Sequence, residues 1–231
     1  SKFYINFLKY IIIFFNRNLD NHIPLDLQKE IYGVSLFASK EFNFIGSPYQ
    51  RMLNYHAAHD IGHALQNMNL VACTAFEVKG DKSVNSSMLI GRNMDFSSGD
   101  KFAENKIIAF CKSDRGYNFC YITWPGMIGV VSGMNNQGLV VTLNAAKSDI
   151  PTSAKTPVSI LARYVLQNAS NIDEAYNIIK KFKTFVSECF LISSAKDNKT
   201  VVIEKSINKV GIYQTDSNSL ILTNHFQSKE L

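Results

Sequence analysis

The sequence predicts an α+β protein: a helical opening block, then two antiparallel sheets packed together and covered by helices. Three observations carry this. Apolar residues recur at helical spacing up to about Asn69; from Leu70 the period shortens to β-rich runs punctuated by Gly, Asn, Asp and Ser; and two helical stretches then interrupt the strands. An order of helices, strands, two helices and strands, read as layers, suits sheet on sheet beneath helices.

The first helix is predicted from Pro24 followed by Leu25, Leu27, Ile31, Val34 and Leu36, because proline in the first turn presets the backbone. A second is predicted over Tyr49 to Asn69, which holds no Pro, has Gly62 as its only glycine, and spaces Leu53, Ala57, Ile61, Ala64, Leu65 and Met68 helically. Strands follow at Val71 to Val78, Met88 to Arg92, Lys106 to Cys111, Asn118 to Thr123, Ile128 to Ser132 and Leu139 to Leu143. Pro157 to Gln167 and Ile172 to Phe182 are helices, the second opening on Asp173-Glu174, which suits the positive end of a helix dipole. Strands resume at Cys189 to Ser193, Thr200 to Lys205, Gly211 to Gln214 and Leu220 to Thr223, with Asp197-Asn198 as a turn. One boundary is placed, near residue 72, between a helical block 1–72 and a sheet unit 73–231.

Composition narrows the function. With 231 residues, 46% apolar and 19% charged, the chain has globular composition, which excludes disorder, collagen and coiled coil. The net charge of +5 is scattered, with Lys180-Lys181-Phe182-Lys183 the densest cluster; that points faintly to an anionic partner such as a membrane surface and not to specific nucleic-acid binding. Four cysteines, Cys73, Cys111, Cys120 and Cys189, make no disulfide framework, and no CxxC spacing suggests zinc. The apolar run Phe3 to Phe15 is interrupted by Asn6 and Lys9 and is shorter than the roughly 20 residues of a membrane span. It reads as a core helix of the opening block in preference to a lipid-facing surface helix. No small-residue cleavage site follows that run, and the chain opens on Ser1, so an exported protein with its signal removed is the expectation. Sequons at Asn85, Asn168 and Asn198 matter only in a eukaryotic secretory pathway.

His56, His59 and His63 share one arc of the predicted second helix, and His59 and His63 have the i, i+4 spacing of a two-histidine metal site. Asp60 stands where the zincin motif has Glu, and a third ligand is not evident. Packing against the sheet unit, or capping the nucleophile pocket, is the preferred reading; a metal-dependent hydrolase on His59, Asp60 and His63 is the alternative. No metal is expected.

Four motifs carry chemistry. Cys73-Thr74-Ala75 opens the first strand, and Gly91-Arg92-Asn93-Met94-Asp95 follows. Gly133-Met134-Asn135-Asn136-Gln137-Gly138-Leu139 leads to Leu143-Asn144, and Leu222-Thr223-Asn224-His225-Phe226 closes the series. A cysteine opening a β-run is by itself more often a small buried apolar residue than a nucleophile. In this order and company, however, the chain resembles the cysteine N-terminal-nucleophile amidohydrolases. That superfamily includes choloylglycine hydrolases, acid ceramidase, N-acylethanolamine acid amidase and acyl-coenzyme A:6-aminopenicillanate acyltransferase.

The resemblance implies an αββα four-layer sandwich preceded by a helical propiece. It also implies self-cleavage between Ala72 and Cys73, which makes residues 1–72 an α subunit and 73–231 a β subunit, two chains of one precursor. Members carry a further active-site Arg after the Thr-Asn segment, so a chain ending at Leu231 is expected to be C-terminally incomplete. The implied catalytic set is Cys73, Arg92, Asp95, Asn144 and Asn224, with no cofactor.

Physical chemistry agrees with these roles. Cleavage would give Cys73 a thiol and a free α-amine, nucleophile and base in one residue, and an α-amine of reference pKa about 7.7 to 8 is partly neutral near pH 7. Arg92 would favour thiolate or hold a carbonyl oxygen, and Asp95 would accept from the α-ammonium. Asn144 and Asn224 would donate to the oxyanion, at roughly 3 to 4 kcal/mol each. Self-cleavage would use the same thiol on the Ala72 carbonyl. The expected activity is hydrolysis of a linear amide in a small-molecule N-acyl substrate with a fatty-acyl or similar apolar chain, through an acyl-thioester on Cys73. An acyltransferase of the same fold is the alternative.

Overall fold

The computed structural model describes residues 10, 12, 14–64, 71–96, 99–147 and 153–231. Most of the Phe3 to Phe15 run lies outside the described residues, as do 65–70 at the end of the predicted second helix.

The opening block holds α1 (Leu25–Ser35), α2 (Pro48–His56) and α3 (Ala58–Ala64). α1 follows Pro24 and buries Leu27 and Ile31, one turn apart on a single face. α2 begins with Pro48 behind a capping box in which Ser47 and Gln50 satisfy each other's backbone N–H groups. The single helix predicted over Tyr49 to Asn69 is therefore two, broken at Ala57, whose backbone N–H closes a tighter turn onto Asn54. Tertiary bonds hold both sides of the break. The ring of His56 bonds Met52 and the backbone of Ile128, while Asp60 accepts from the backbone of Val158. No local propensity anticipates partners so distant in sequence.

Among the described residues ten strands form two antiparallel sheets. The small sheet has the order β10-β1-β2: β1 (Val71–Gly80), β2 (Ser86–Phe96) and β10 (Ser219–Leu222). The large sheet runs in simple succession through β3 (Ile107–Cys111), β4 (Phe119–Thr123), β5 (Ser132–Asn135), β6 (Leu139–Ala145), β7 (Glu188–Ser194), β8 (Lys199–Lys205) and β9 (Val210–Tyr213). The helices α4 (Val158–Asn168) and α5 (Ile172–Lys181) lie on one face of the large sheet. Its other face meets the small sheet through Ala75, Cys189, Leu191, Val202, Leu220 and Leu222. Strand β7 is consequently buried at every residue, which is why it reads as a near-continuous apolar run.

Two antiparallel sheets under helices are what the sequence predicts. Among the described residues three layers are built: helices, large sheet, small sheet. One predicted strand is corrected. Ile128 to Ser132 is a loop up to Val131, because Val130 bonds Ser159 at the start of α4 and Val131 accepts from Leu143, so its backbone groups are satisfied outside a ladder.

The opening block is not a separate body. Leu19, Ile23, Leu27, Ile31, Leu53 and Ala57 share one apolar core with α4, α5 and the large sheet. Buried polar bonds fasten it: Arg163 grips Glu30 with two N–H groups at 3.3 and 3.1 Å, and Thr156 donates to the carbonyl of His22 at 2.8 Å.

Candidate active site

The Gly91 to Asp95 motif lies inside β2, antiparallel to the start of β1, with Ala75 opposite Arg92, Cys73 opposite Met94 and Ala72 opposite Asp95. Because side chains alternate across a strand, Arg92 and Met94 share the inner face with Cys73 and Ala75, whereas Asn93 and Asp95 point to the other face. Gly91 has a packing reason: a Cβ there would strike the ring of Phe76, its partner across the ladder.

Cys73 is 2% exposed, in the seam between the sheets. Its sulfur lies 3.2 Å from Nη2 of Arg92, and the same nitrogen donates to the carbonyl of Leu143 at 2.5 Å. The backbone N–H of Cys73 donates to Oδ1 of Asn224 at 2.8 Å, and Nδ2 of Asn224 donates to the carbonyl of Ala145 at 2.6 Å. Asn144 donates to the carbonyl of Thr223 at 3.2 Å. The ends of β6 and β10 are thus stitched together across the start of β1, one strand end from each sheet.

Four of the five predicted site residues, Cys73, Arg92, Asn144 and Asn224, meet here. Asp95 does not join them. Its exposed carboxylate takes two hydrogen bonds from Asn93, at 3.0 and 3.1 Å, on the face away from the thiol. The sequence contained the reason: residues 92 and 95 are an odd number apart, and in a strand that separates their faces. Both asparagine N–H₂ groups donate to backbone carbonyls, Asn144 to those of Leu222 and Thr223 and Asn224 to that of Ala145, which leaves one N–H of Asn224 uncommitted among the described residues.

Burial pushes the Cys73 thiol above its ordinary range; Arg92 and the backbone N–H groups of Ala145 and Asp95 pull against this, and Glu188 adds to the rise. Glu188 was not singled out by any sequence motif. It opens β7 opposite Ala145, is fully buried, and its carboxyl is held well above the usual range by burial and by Asp60, against the pull of Arg92. Asp60 is likewise fully buried and raised by burial, with Oδ1 accepting the Val158 N–H at 3.1 Å. Glu188, from the large sheet, therefore feels both the Asp60 carboxyl of the helical block and the guanidinium of Arg92. Only the fold brings residues so far apart in sequence together.

The histidines divide. Nδ1 of His56 bonds the Met52 carbonyl at 2.7 Å and Nε2 accepts the Ile128 N–H at 2.9 Å, which fixes a neutral tautomer, and burial lowers its pKa to about 4. His56 packs against the sheet unit. His59 is buried, and the side chain of His63 lies outside the described residues. Among the described residues no group of three His, Cys, Asp or Glu is placed to hold a metal. A cavity of about 700 Å³ opens beside Arg92, walled by Met94, Ile122, Trp124 and Val131, with Asp100 and Lys106 also lining it.

The chain is 26% identical over 157 residues to an uncharacterized protein of Archaeoglobus fulgidus, a match covering 66% of this chain and 26% of that one, so the chain spans about a quarter of that relative's length. Its fold is similar to that of the Caenorhabditis elegans ortholog of N-acylethanolamine-hydrolyzing acid amidase, with a TM-score of 0.56, 21% identity and coverage of 67% of this chain and 71% of the other. A mutant conjugated bile acid hydrolase from Clostridium perfringens aligns at a TM-score of 0.47 and 19% identity, over 68% of this chain and 54% of that one. A family profile matches residues 80–231, a span that includes Arg92, Asp95, Asn144 and Asn224 and begins just after Cys73. On that match the chain belongs to the acyl-coenzyme A:6-aminopenicillanic acid acyl-transferase family.

Proposed function

We propose that this chain is a self-processing cysteine amidase that cuts itself between Ala72 and Cys73 and then cleaves a linear amide in an N-acyl substrate. The observation that carries the reading is the grip on Cys73: its sulfur rests on Arg92 while its own peptide nitrogen donates to Asn224.

In self-cleavage the thiol attacks the Ala72 carbonyl. The Sγ–C bond forms as the C–N bond breaks, and the thiol proton passes to the departing nitrogen, which becomes the α-amine. Water then hydrolyses the thioester, leaving a carboxylate on Ala72 and a free thiol on Cys73. Oδ1 of Asn224 accepts from that nitrogen throughout, first as a peptide N–H and then as an amine.

With substrate, the thiolate attacks the acyl carbonyl, the α-amine carries the proton to the leaving amine, and water clears the acyl-thioester. Asn144 and Asn224 are the proposed oxyanion donors once cleavage frees the strand end, and Asp95, beside the cut on the far face, is the proposed acceptor for the α-ammonium. The apolar wall of Met94, Ile122, Trp124 and Val131 supports an apolar acyl chain. An acyltransferase would differ only in the nucleophile that resolves the thioester, and the family profile favours keeping that second reading.

Intact-mass measurement tests the proposal. Fragments 1–72 and 73–231 are expected from the wild-type chain, and only intact chain from Cys73→Ala. Amidase activity from a chain that never cuts would overturn the mechanism. Transfer of the acyl group to an added amine in preference to water would select the acyltransferase.

A further inference from the structure

A second cavity, of about 790 Å³, lies between the C-terminal end of α5, residues 182–185 and the turn joining β8 to β9. It shares no lining residue with the cavity beside Arg92. Five lysines line it, Lys155, Lys180, Lys181, Lys183 and Lys205, and among the described residues no Asp or Glu does. One cavity thus gathers as much positive charge as the net +5 of the whole chain.

The ordinary explanation for such a cluster covers only part of it. Lys180 and Lys181 sit in the last turn of α5, where cations complement the helix dipole. The other three have no such reason. Lys155 and Lys183 are brought side by side by the parallel bridge between Thr156 and Thr184, in which the N–H of Thr156 donates to the carbonyl of Lys183 at 3.0 Å. Their field reaches the opening block, where both lower the pKa of His22, after burial as the largest cause.

Lys205 is the decisive residue. It is 4% exposed, at the end of β8, and among the described residues it makes no ion pair. Burial lowers its pKa, and its neighbour across the ladder, Glu188, has a carboxyl held well above the usual range, toward the uncharged form. A buried, unpaired lysine lining a cavity is costly unless an anion completes it. Tyr176, Phe182, Phe185, Ile207 and Val210 supply apolar lining beside the polar Ser153, Thr184 and Asn208, and Nζ of Lys180 stands 5.7 Å from the Tyr176 ring.

We propose that this cavity is a second ligand site for a phosphate-bearing molecule, its phosphate held by Lys155, Lys183 and Lys205 and an apolar portion set against Phe182 and Ile207. Phosphate supplies the multiple charge and oxygens that converging ammonium groups satisfy. The same chemistry is offered by a soluble phosphate ester and by an anionic lipid headgroup.

The test titrates the full 231-residue chain with inorganic pyrophosphate by calorimetry at about 150 mM salt, where loose surface attraction is largely screened. Saturable one-to-one binding is expected, weakened about tenfold or more in Lys205→Met and restored by Lys205→Arg. The double variant Lys155→Gln/Lys183→Gln, on residues nearer the surface, must show a similar loss, and it decides the matter if Lys205→Met does not fold. Sedimentation with phosphatidylcholine vesicles, with and without phosphatidic acid, separates the sources. Lysine-dependent binding to the acidic vesicles that pyrophosphate displaces identifies a headgroup, and pyrophosphate binding without vesicle binding identifies a soluble ester. No saturable binding of either probe, or binding indifferent to the lysine variants, overturns the site. Neither measurement depends on self-cleavage or amidase activity.

Discussion

The side-chain oxygen of Asn224 accepts the backbone N–H of Cys73 at 2.8 Å, so a residue near the end of the chain holds the peptide bond at which the helical block joins the sheets. The same amide donates to Ala145 at 2.6 Å, tying β10's end to β6's end through the proposed scissile nitrogen. Asn224 is thereby a clamp on the uncut chain before it is anything else.

Asn224→Ala removes that clamp. Self-cleavage should slow by about two to three orders of magnitude, the usual loss for a preorganised polar partner of a reacting group, while folding loses only about 1 kcal/mol. A time course of intact mass at constant temperature measures the first and urea unfolding the second. Cleavage at the wild-type rate would show that the bond to Cys73 is structural only.

Arg92→Gln should make Cys73 less reactive at a given pH. The guanidinium is the leading influence favouring thiolate against the rise that burial imposes, so its loss moves the thiol pKa further up. The alkylation rate of Cys73 by iodoacetamide, followed by mass mapping across pH in the uncut chain, should shift to higher pH. An unchanged profile would assign Arg92 to its other partner, the Leu143 carbonyl.

The buried carboxyls and His56 give folding stability opposite pH slopes. Asp60 and Glu188 have raised pKa values in the folded state, so as pH rises through the ordinary carboxylate range the unfolded chain ionises first and stability is lost. The imidazole of His56, at about 4 when folded against 6.5 as reference, loses stability as pH falls between those values. Glu188→Gln removes one carboxyl from this balance. Its melting temperature relative to wild type should climb as pH rises above the ordinary carboxylate range, and a difference flat from pH 5 to pH 8 would exclude Glu188 from the pH response.

Gly91→Ala drives a methyl group into the ring of Phe76, on the outer face of the small sheet. A loss of about 1 to 3 kcal/mol is expected, as for other overpacked sites. Phe76→Ala should recover most of it in the double variant, because the obstructing atoms all belong to that ring. Additive losses would mean that Gly91 is needed for its backbone and not for the space it leaves.

The sequence by itself determined the order of helices and strands, nearly every strand position, and the company kept by Cys73, Arg92, Asn144 and Asn224. These were legible because the period of burial is written in near neighbours, two residues apart in a strand and three or four in a helix, and because the site motifs fall in or directly beside strands. The period of two also carried the placement of Asp95 away from the thiol, once the Gly91 to Asp95 motif is known to be extended.

Tertiary structure alone decided the rest. The break between α2 and α3 depends on His56 reaching Ile128 and on Asp60 reaching Val158, and the loop at Ile128 to Val131 depends on the same meeting of helical block and sheets. The reach of Glu188 to both Asp60 and Arg92 and the convergence of Lys155, Lys183 and Lys205 are of the same kind. Each joins residues that leave no periodic trace in one another's neighbourhood. A charge withdrawn from water takes its energy from whatever group the fold sets beside it, and that partner is fixed by packing and not by spacing along the chain.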